Sequence, residues 1–172
     1  MSDDATAPKR VRMDVGDIEL LRTVNSSWVN AAGIVDPAAF DLSTADRTDL
    51  NRLSIARGDA ITPEQAYADR AAVIQARFKA KGKSHKPPAG VLAVTVDEVE
   101  SAEVKSSEGS RTPLTVWDDS MNRNRSNYHG HIDFNEVPAD NRGLCLLVAK
   151  TMVAQAQDRG WKFRPVEPVE QR

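Results

Sequence analysis

The chain has 172 residues, a hydrophobic fraction of 40%, a charged fraction of 28% and a formal net charge of −2. That length suits one domain able to bury a core without disulfides or metal, and the near-neutral charge gives no whole-molecule argument for nucleic acid or an anionic membrane. No apolar run reaches membrane-spanning length, the opening MSDDATAPKRVRM lacks an apolar signal core, and the single cysteine, Cys145, fits a reducing, cytoplasmic setting.

Residues 1–14 are polar and charged and are expected to form a flexible N-terminal tail. Lys9, Arg10 and Arg12 lie near Asp3 and Asp4 there, so a solvated tail is preferred to a nucleic-acid arm. Ile18 to Val24 ends in β-branched residues and is followed by Asn-Ser-Ser, which favours a strand. Trp28-Val29 and Ile34-Val35 read as short extended pieces around Gly33, and Asp36-Pro37 opens a single turn ending near Phe40. Leu42 to Arg52 is polar and turn-rich; Leu53 to Ala56 is a short strand.

The clearest helix runs from Thr62 to Ala80. Thr62 is an N-cap, Pro63 suits the first helical position and Gln65 completes a capping box. Tyr67, Ala71, Ile74 and Phe78 recur at helical spacing and predict a core-facing stripe. Arg77, Lys79, Lys81, Lys83 and Lys86 follow as the one concentrated basic run. Such a run complements a helix C-terminus and is ordinarily solvated, although it suits phosphate contacts. His85 within it reads as a surface histidine.

Val91 to Val96 is nearly all apolar, which predicts a central strand covered on both faces. Glu103-Val104-Lys105 and Thr112 to Trp117 suggest a hairpin with Gly109 at its tip. Asp118-Asp119-Ser120 breaks the second of these, Asn122 to Asn127 is a loop, and Tyr128 to Phe134 alternates as a strand. The last helix spans about 140–158, with Asp140 or Asn141 as N-cap. Leu144, Leu147, Val148 and Thr151 define its expected inner face, widened by Leu146, Ala149, Val153 and Ala154. Trp161-Lys162-Phe163 adds a final extended piece, and 165–172 is a flexible C-terminal tail. Strands in runs between two main helices, 62–80 and 140–158, define an α+β domain over 15–164, with a mostly antiparallel or mixed sheet.

The chemistry concentrates in Tyr128 to Phe134. Strand alternation puts His129, His131 and Asp133 on one face, the catalytic candidates for acid–base work. Arg123, Arg125 and Tyr128 in the preceding loop, with Arg22, are the candidate ligand-binding residues, arginine being suited to an anionic group. His-x-His on a strand can supply two metal ligands, with His85 a third, but a site needs three or four placed ligands, and no metal is assigned. No Gly-rich phosphate loop, CxxC, HExxH or GxSxG motif occurs, and no cofactor is implied.

Two resemblances bear on function. Arg22 on an early strand, Ser54 on a later one and an acid near the end form an order similar to the Arg–Ser–Glu layout of ADP-ribosyltransferase-like proteins. Over roughly residues 22–163, PAAF, LSIARGDAITPEQAY, GVLAVTV, DDS and HGHIDF resemble an uncharacterised family of small bacterial proteins with a pattern near LSVxR…TPEEAY…GVxAVTV…DDP…NPAHAxIDF. That resemblance points to His129, with His131 an addition, and implies no reaction. The expectation is therefore a small cytoplasmic bacterial binding or accessory protein acting through a protein partner, with enzymatic function left open. The alternative is a small enzyme or ligand-binding domain centred on His129. A weaker alternative is nucleic-acid contact through Arg77–Lys86 and Arg123–Tyr128, if these meet in space.

Overall fold

The computed structural model describes residues 9–102, 114–134, 137 and 142–166. Among them, six strands form one sheet: β1 (Val11–Arg12), β2 (Glu19–Val24), β3 (Arg52–Arg57), β4 (Gly90–Thr95), β5 (Thr115–Asp118) and β6 (His129–Asp133). The order is β1-β5-β6-β3-β2-β4, and every neighbouring pair is antiparallel. The helices are α1 (Thr44–Thr48), α2 (Pro63–Ala80), α3 (Val96–Ser101) and α4 (Arg142–Arg159). This is the α+β fold expected, with the sheet antiparallel throughout the described strands.

Local chemistry fixes most boundaries. Thr62 and Gln65 form the anticipated capping box on α2, which satisfies two otherwise orphaned backbone donors. A second box, Thr95 with Glu98, converts the end of β4 directly into α3. Asp36 caps a 3-10 turn at Pro37–Ala39, and the extended pieces at Val29 and Val35 meet in a bridge. Trp161 to Phe163 lies along the outer edge of β4 through two backbone hydrogen bonds with Val91, covering an edge that would otherwise present unpaired donors.

The main core lies on one face of the sheet, where Leu20, Leu53, Leu92, Val116, Ile132 and Phe134 are buried with α4. The inner face of α4 is Cys145, Val148, Ala149, Met152, Val153 and Ala156. Leu146 and Leu147 are exposed, Leu147 by 50%, so the expected face was rotated. Residues 144–149 are almost all apolar, and a short apolar run carries no phase; the soft residues Cys145 and Met152 set it. The opposite face of the sheet is divided. Over β2 and β4 it is apolar, with Leu21, Val91 and Ala93 beneath Ala66 and Tyr67 of α2 and Phe163. The stripe Tyr67, Ala71, Ile74, Phe78 does face inward, but all four are only half-buried, because α2 covers a narrow part of the sheet. Over β1, β5, β6 and β3 the face is polar and carries the candidate site.

Residues 9–14 correct the expected tail. Val11 and Arg12 pair with Asp118 and Trp117 of β5, and Met13 is buried. The edge of β5 supplies backbone partners, and Trp117 supplies a surface for two arginines, neither of which local sequence reveals. The expected hairpin from Glu103 and the N-cap of α4 fall outside the described residues.

Candidate functional site

The strand register assembles one polar face. Across β5, β6 and β3 the pairs Thr115–Asp133–Arg52 and Trp117–His131–Ser54 align, and Ala56 opposes His129. Paired residues in an antiparallel ladder share a face, so His129, His131 and Asp133 stand together, as the alternation indicates, with Arg52, Ser54 and Trp117 beside them. Gly130 between the histidines points the other way. A Cβ there would lie 2.8 Å from Ile55 Cδ1 and 2.9 Å from the Trp117 carbonyl oxygen, so close strand packing requires glycine.

Asp119 joins the face from the residue after β5. Its backbone N–H donates to the His129 carbonyl, which holds the side chain against both imidazoles. Asp119 Oδ2 lies 3.5 Å from His129 Nδ1 and 3.9 Å from His131 Nδ1. On the far side of His129, Nε2 lies 3.3 Å from Ser54 Oγ. On the far side of His131, Nε2 lies 3.0 Å from Arg10 Nη1, which also donates to Asp133 Oδ2 at 2.7 Å. The Arg10 guanidinium rests on the Trp117 ring at 4.0 Å, a cation–π contact. The result is a continuous polar line: Ser54, His129, Asp119, His131, Arg10, Asp133.

Donor and acceptor roles follow from the ends of this line. Arginine has no acceptor, so His131 Nε2 must offer its lone pair to Arg10 and the ring proton sits on Nδ1. That Nδ1–H faces Asp119 at a distance too long for a hydrogen bond, and it is buried without a partner. The Ser54 hydroxyl both donates and accepts, so it does not assign the His129 proton; the tautomer protonated on Nδ1 turns its N–H toward the Asp119 carboxylate and its lone pair toward Ser54, and that Nδ1 too is buried without a hydrogen-bond partner. His131 and Asp133 side chains are only 1% and 3% exposed, whereas His129 is 13% exposed.

Burial dominates the protonation of both rings. It pushes the His131 pKa down to about 3, helped by the positive charges of Arg52 and Arg10 and opposed by Asp133. Burial also lowers the His129 pKa, with Arg125 adding to the effect and Asp119 and Asp49 opposing it. Both imidazoles are neutral at physiological pH, the form in which a histidine accepts a proton.

The remaining candidates sit apart. Arg125 pairs with Asp49 at 2.7 Å, and the Tyr128 hydroxyl donates to Asp69 of α2 at 2.9 Å, so both fasten the 122–127 loop beside His129. Arg123 is exposed in that loop. Arg22 is not in the cluster: its guanidinium donates to the carbonyls of Ala39 and Ser54, each at 2.8 Å. Leu21 opposes Ala56, so Ser54 points to the face that Arg22 does not, and the Arg–Ser side chains do not converge. Burial lowers the Arg22 pKa to about 10. His85 packs against Phe78 with ring centroids 4.1 Å apart and the rings tilted by 50°. Among the described residues no three His, Cys, Asp or Glu side chains form a metal-ligand group, and the Arg10 contact occupies the His131 lone pair. The basic run Arg77–Lys86 begins eight residues beyond Asp69, the α2 residue that holds Tyr128, about 12 Å along the helix.

Asp119, Ser54 and Arg10 are the members that sequence reasoning did not place with the histidines. Asp119 had a readable signal, since Thr115, Trp117 and Asp119 alternate and belong on one face if β5 pairs with β6. Ser54 and Arg10 had none, because their contacts depend on non-local strand pairing. Searches against family models, curated proteins and solved structures returned no match to the chain, and among the described residues no helix is long and apolar enough to cross a membrane.

Proposed function

We propose that the protein is a small enzyme or ligand-binding domain whose working group is His129. The observation that carries this reading is a neutral, partly exposed imidazole with a carboxylate on one ring nitrogen and a hydroxyl on the other. That is the arrangement of an oriented base. Purely structural histidines do not need a second buried imidazole aimed at the same carboxylate oxygen, and His131 leaves a buried N–H without an acceptor, a cost of about 1–3 kcal/mol. A bacterial, cytoplasmic setting belongs to the same proposal; the support is the residue pattern quoted above and the free, buried Cys145.

The test is a thermal-shift screen of wild type and His129→Ala against divalent metals, nucleotides, NAD and short RNA. A ligand at a hundred times its Kd stabilises the native state by about 2.7 kcal/mol, worth roughly 5–10 °C for a chain of this size. The expected result is a shift of that order in the wild type and none in the variant. Strong destabilisation of His129→Ala with no ligand shifting the wild type would make His129 structural and return the search to a protein partner.

A further inference from the structure

We propose that Ser54 is a nucleophile, activated by His129 and positioned through Asp119, for transfer of an acyl group from an ester to water; this rests on the His129-centred reading above. Two observations carry it. Ser54 Oγ is 3.3 Å from His129 Nε2, the nitrogen that carries the lone pair in the tautomer this chemistry uses. Asp119 Oδ2 is 3.5 Å from Nδ1 of the same ring, where a carboxylate favours that tautomer. Nucleophile–base contacts commonly stand somewhat long before substrate binds.

The steps balance without any further reagent than water. Ser54 Oγ attacks the carbonyl carbon, and His129 Nε2 takes the hydroxyl proton. The ester C–O bond breaks, and the proton passes from Nε2 to the departing alcohol. Water then attacks the acyl-serine with Nε2 again as base, the Oγ–C bond breaks, and the acid leaves with Ser54 restored. Asp119 touches no substrate and is a positioning residue.

The experiment uses a fluorophosphonate probe, in which Ser54 Oγ would form a P–O bond as fluoride leaves, read by intact mass and peptide mapping of the full chain. The proposal expects one adduct on Ser54, none on Ser54→Ala, and labelling slowed by about 10²–10⁴ in His129→Gln. Far-UV circular dichroism and the thermal midpoint establish that each variant is folded. Labelling should rise with pH through the His129 titration, a group faced by Asp119, Arg125 and Asp49 besides Ser54. Asp119→Asn removes the charge that raises that pKa and should move the acid limb lower; a positioning role also requires slower labelling on the plateau above that limb, which loss of the charge alone would not cause. An adduct elsewhere, or one indifferent to His129→Gln, overturns the proposal. No adduct on a protein that a ligand still stabilises through His129 overturns the nucleophile and leaves the site reading standing. No adduct and no such ligand overturns both.

Discussion

Acid should destabilise this protein well above the pH at which carboxylates titrate, and His131 should be the main cause. The ring is 1% exposed, and its pKa falls from 6.5 to about 3 on folding. Between those values the unfolded chain binds a proton at His131 and the native chain does not, so the contribution is fully present above 6.5 and is lost as pH falls toward 3. Integrating from pH 7 to pH 5 gives a loss of about 2 kcal/mol from this residue, at 1.36 kcal/mol per unit once the unfolded imidazole is fully charged. The assay is urea unfolding of wild type and His131→Gln at pH 7, 6 and 5. Glutamine does not titrate, and its carbonyl can still accept from Arg10. The wild type should lose about 2 kcal/mol more than the variant over that range, with unchanged m-values. Equal losses in the two proteins would refute the assignment and shift the acid sensitivity to His129 or the carboxylates.

Three further outcomes follow from the same geometry. Arg10→Ala removes one cationic partner of the buried Asp133 and the donor to His131, and since Arg10 is itself 27% exposed the cost should be about 1–3 kcal/mol by chemical denaturation. Arg10→Lys should recover only part of it, because one ammonium cannot both stack on Trp117 and reach two acceptors as a planar guanidinium does. Gly130→Ala forces a methyl into Ile55 and the Trp117 carbonyl and should cost about 1–3 kcal/mol, a neutral result showing that β5 and β6 are less tightly opposed. Leu50 holds a left-handed φ of 56° while 61% exposed, so Leu50→Asn should raise stability by about 1 kcal/mol, read as a higher thermal midpoint.

What the sequence disclosed was local. The alternation from Tyr128 to Phe134 placed His129, His131 and Asp133 on one face because strand geometry alone decides it. The capping box at Thr62 and Gln65 located α2 for a similar reason. The phase of α4 was not legible, since six nearly continuous apolar residues fit two helical faces. The N-terminal strand was not legible either: Arg10 meets residues 121 and 123 positions away, and its own neighbours read as a charged tail. Ser54 reaches His129 only through the β3–β6 register, which no single segment encodes.

Asp119 makes the two histidines interdependent. One carboxylate oxygen faces both Nδ1 atoms, at 3.5 and 3.9 Å, and neither approach is close enough for a full hydrogen bond. One oxygen shared by two N–H groups at such distances serves neither fully. Arg10 holds His131 from behind through Nε2, so His131 is the fixed member, while His129 carries the softer contact to Ser54. Replacing His131 with a side chain that does not face Asp119 should let the carboxylate settle on His129. The two histidines should therefore couple in a double-mutant cycle against Asp119→Asn, with an interaction energy in the range of about 0.5–3 kcal/mol that contacting residues show. The His129 ring resonances, followed by NMR through a pH titration, should shift to a higher pKa in His131→Gln. Strict additivity in the cycle together with an unmoved His129 titration would mean that Asp119 serves the two rings independently, and the polar line would then be two separate contacts.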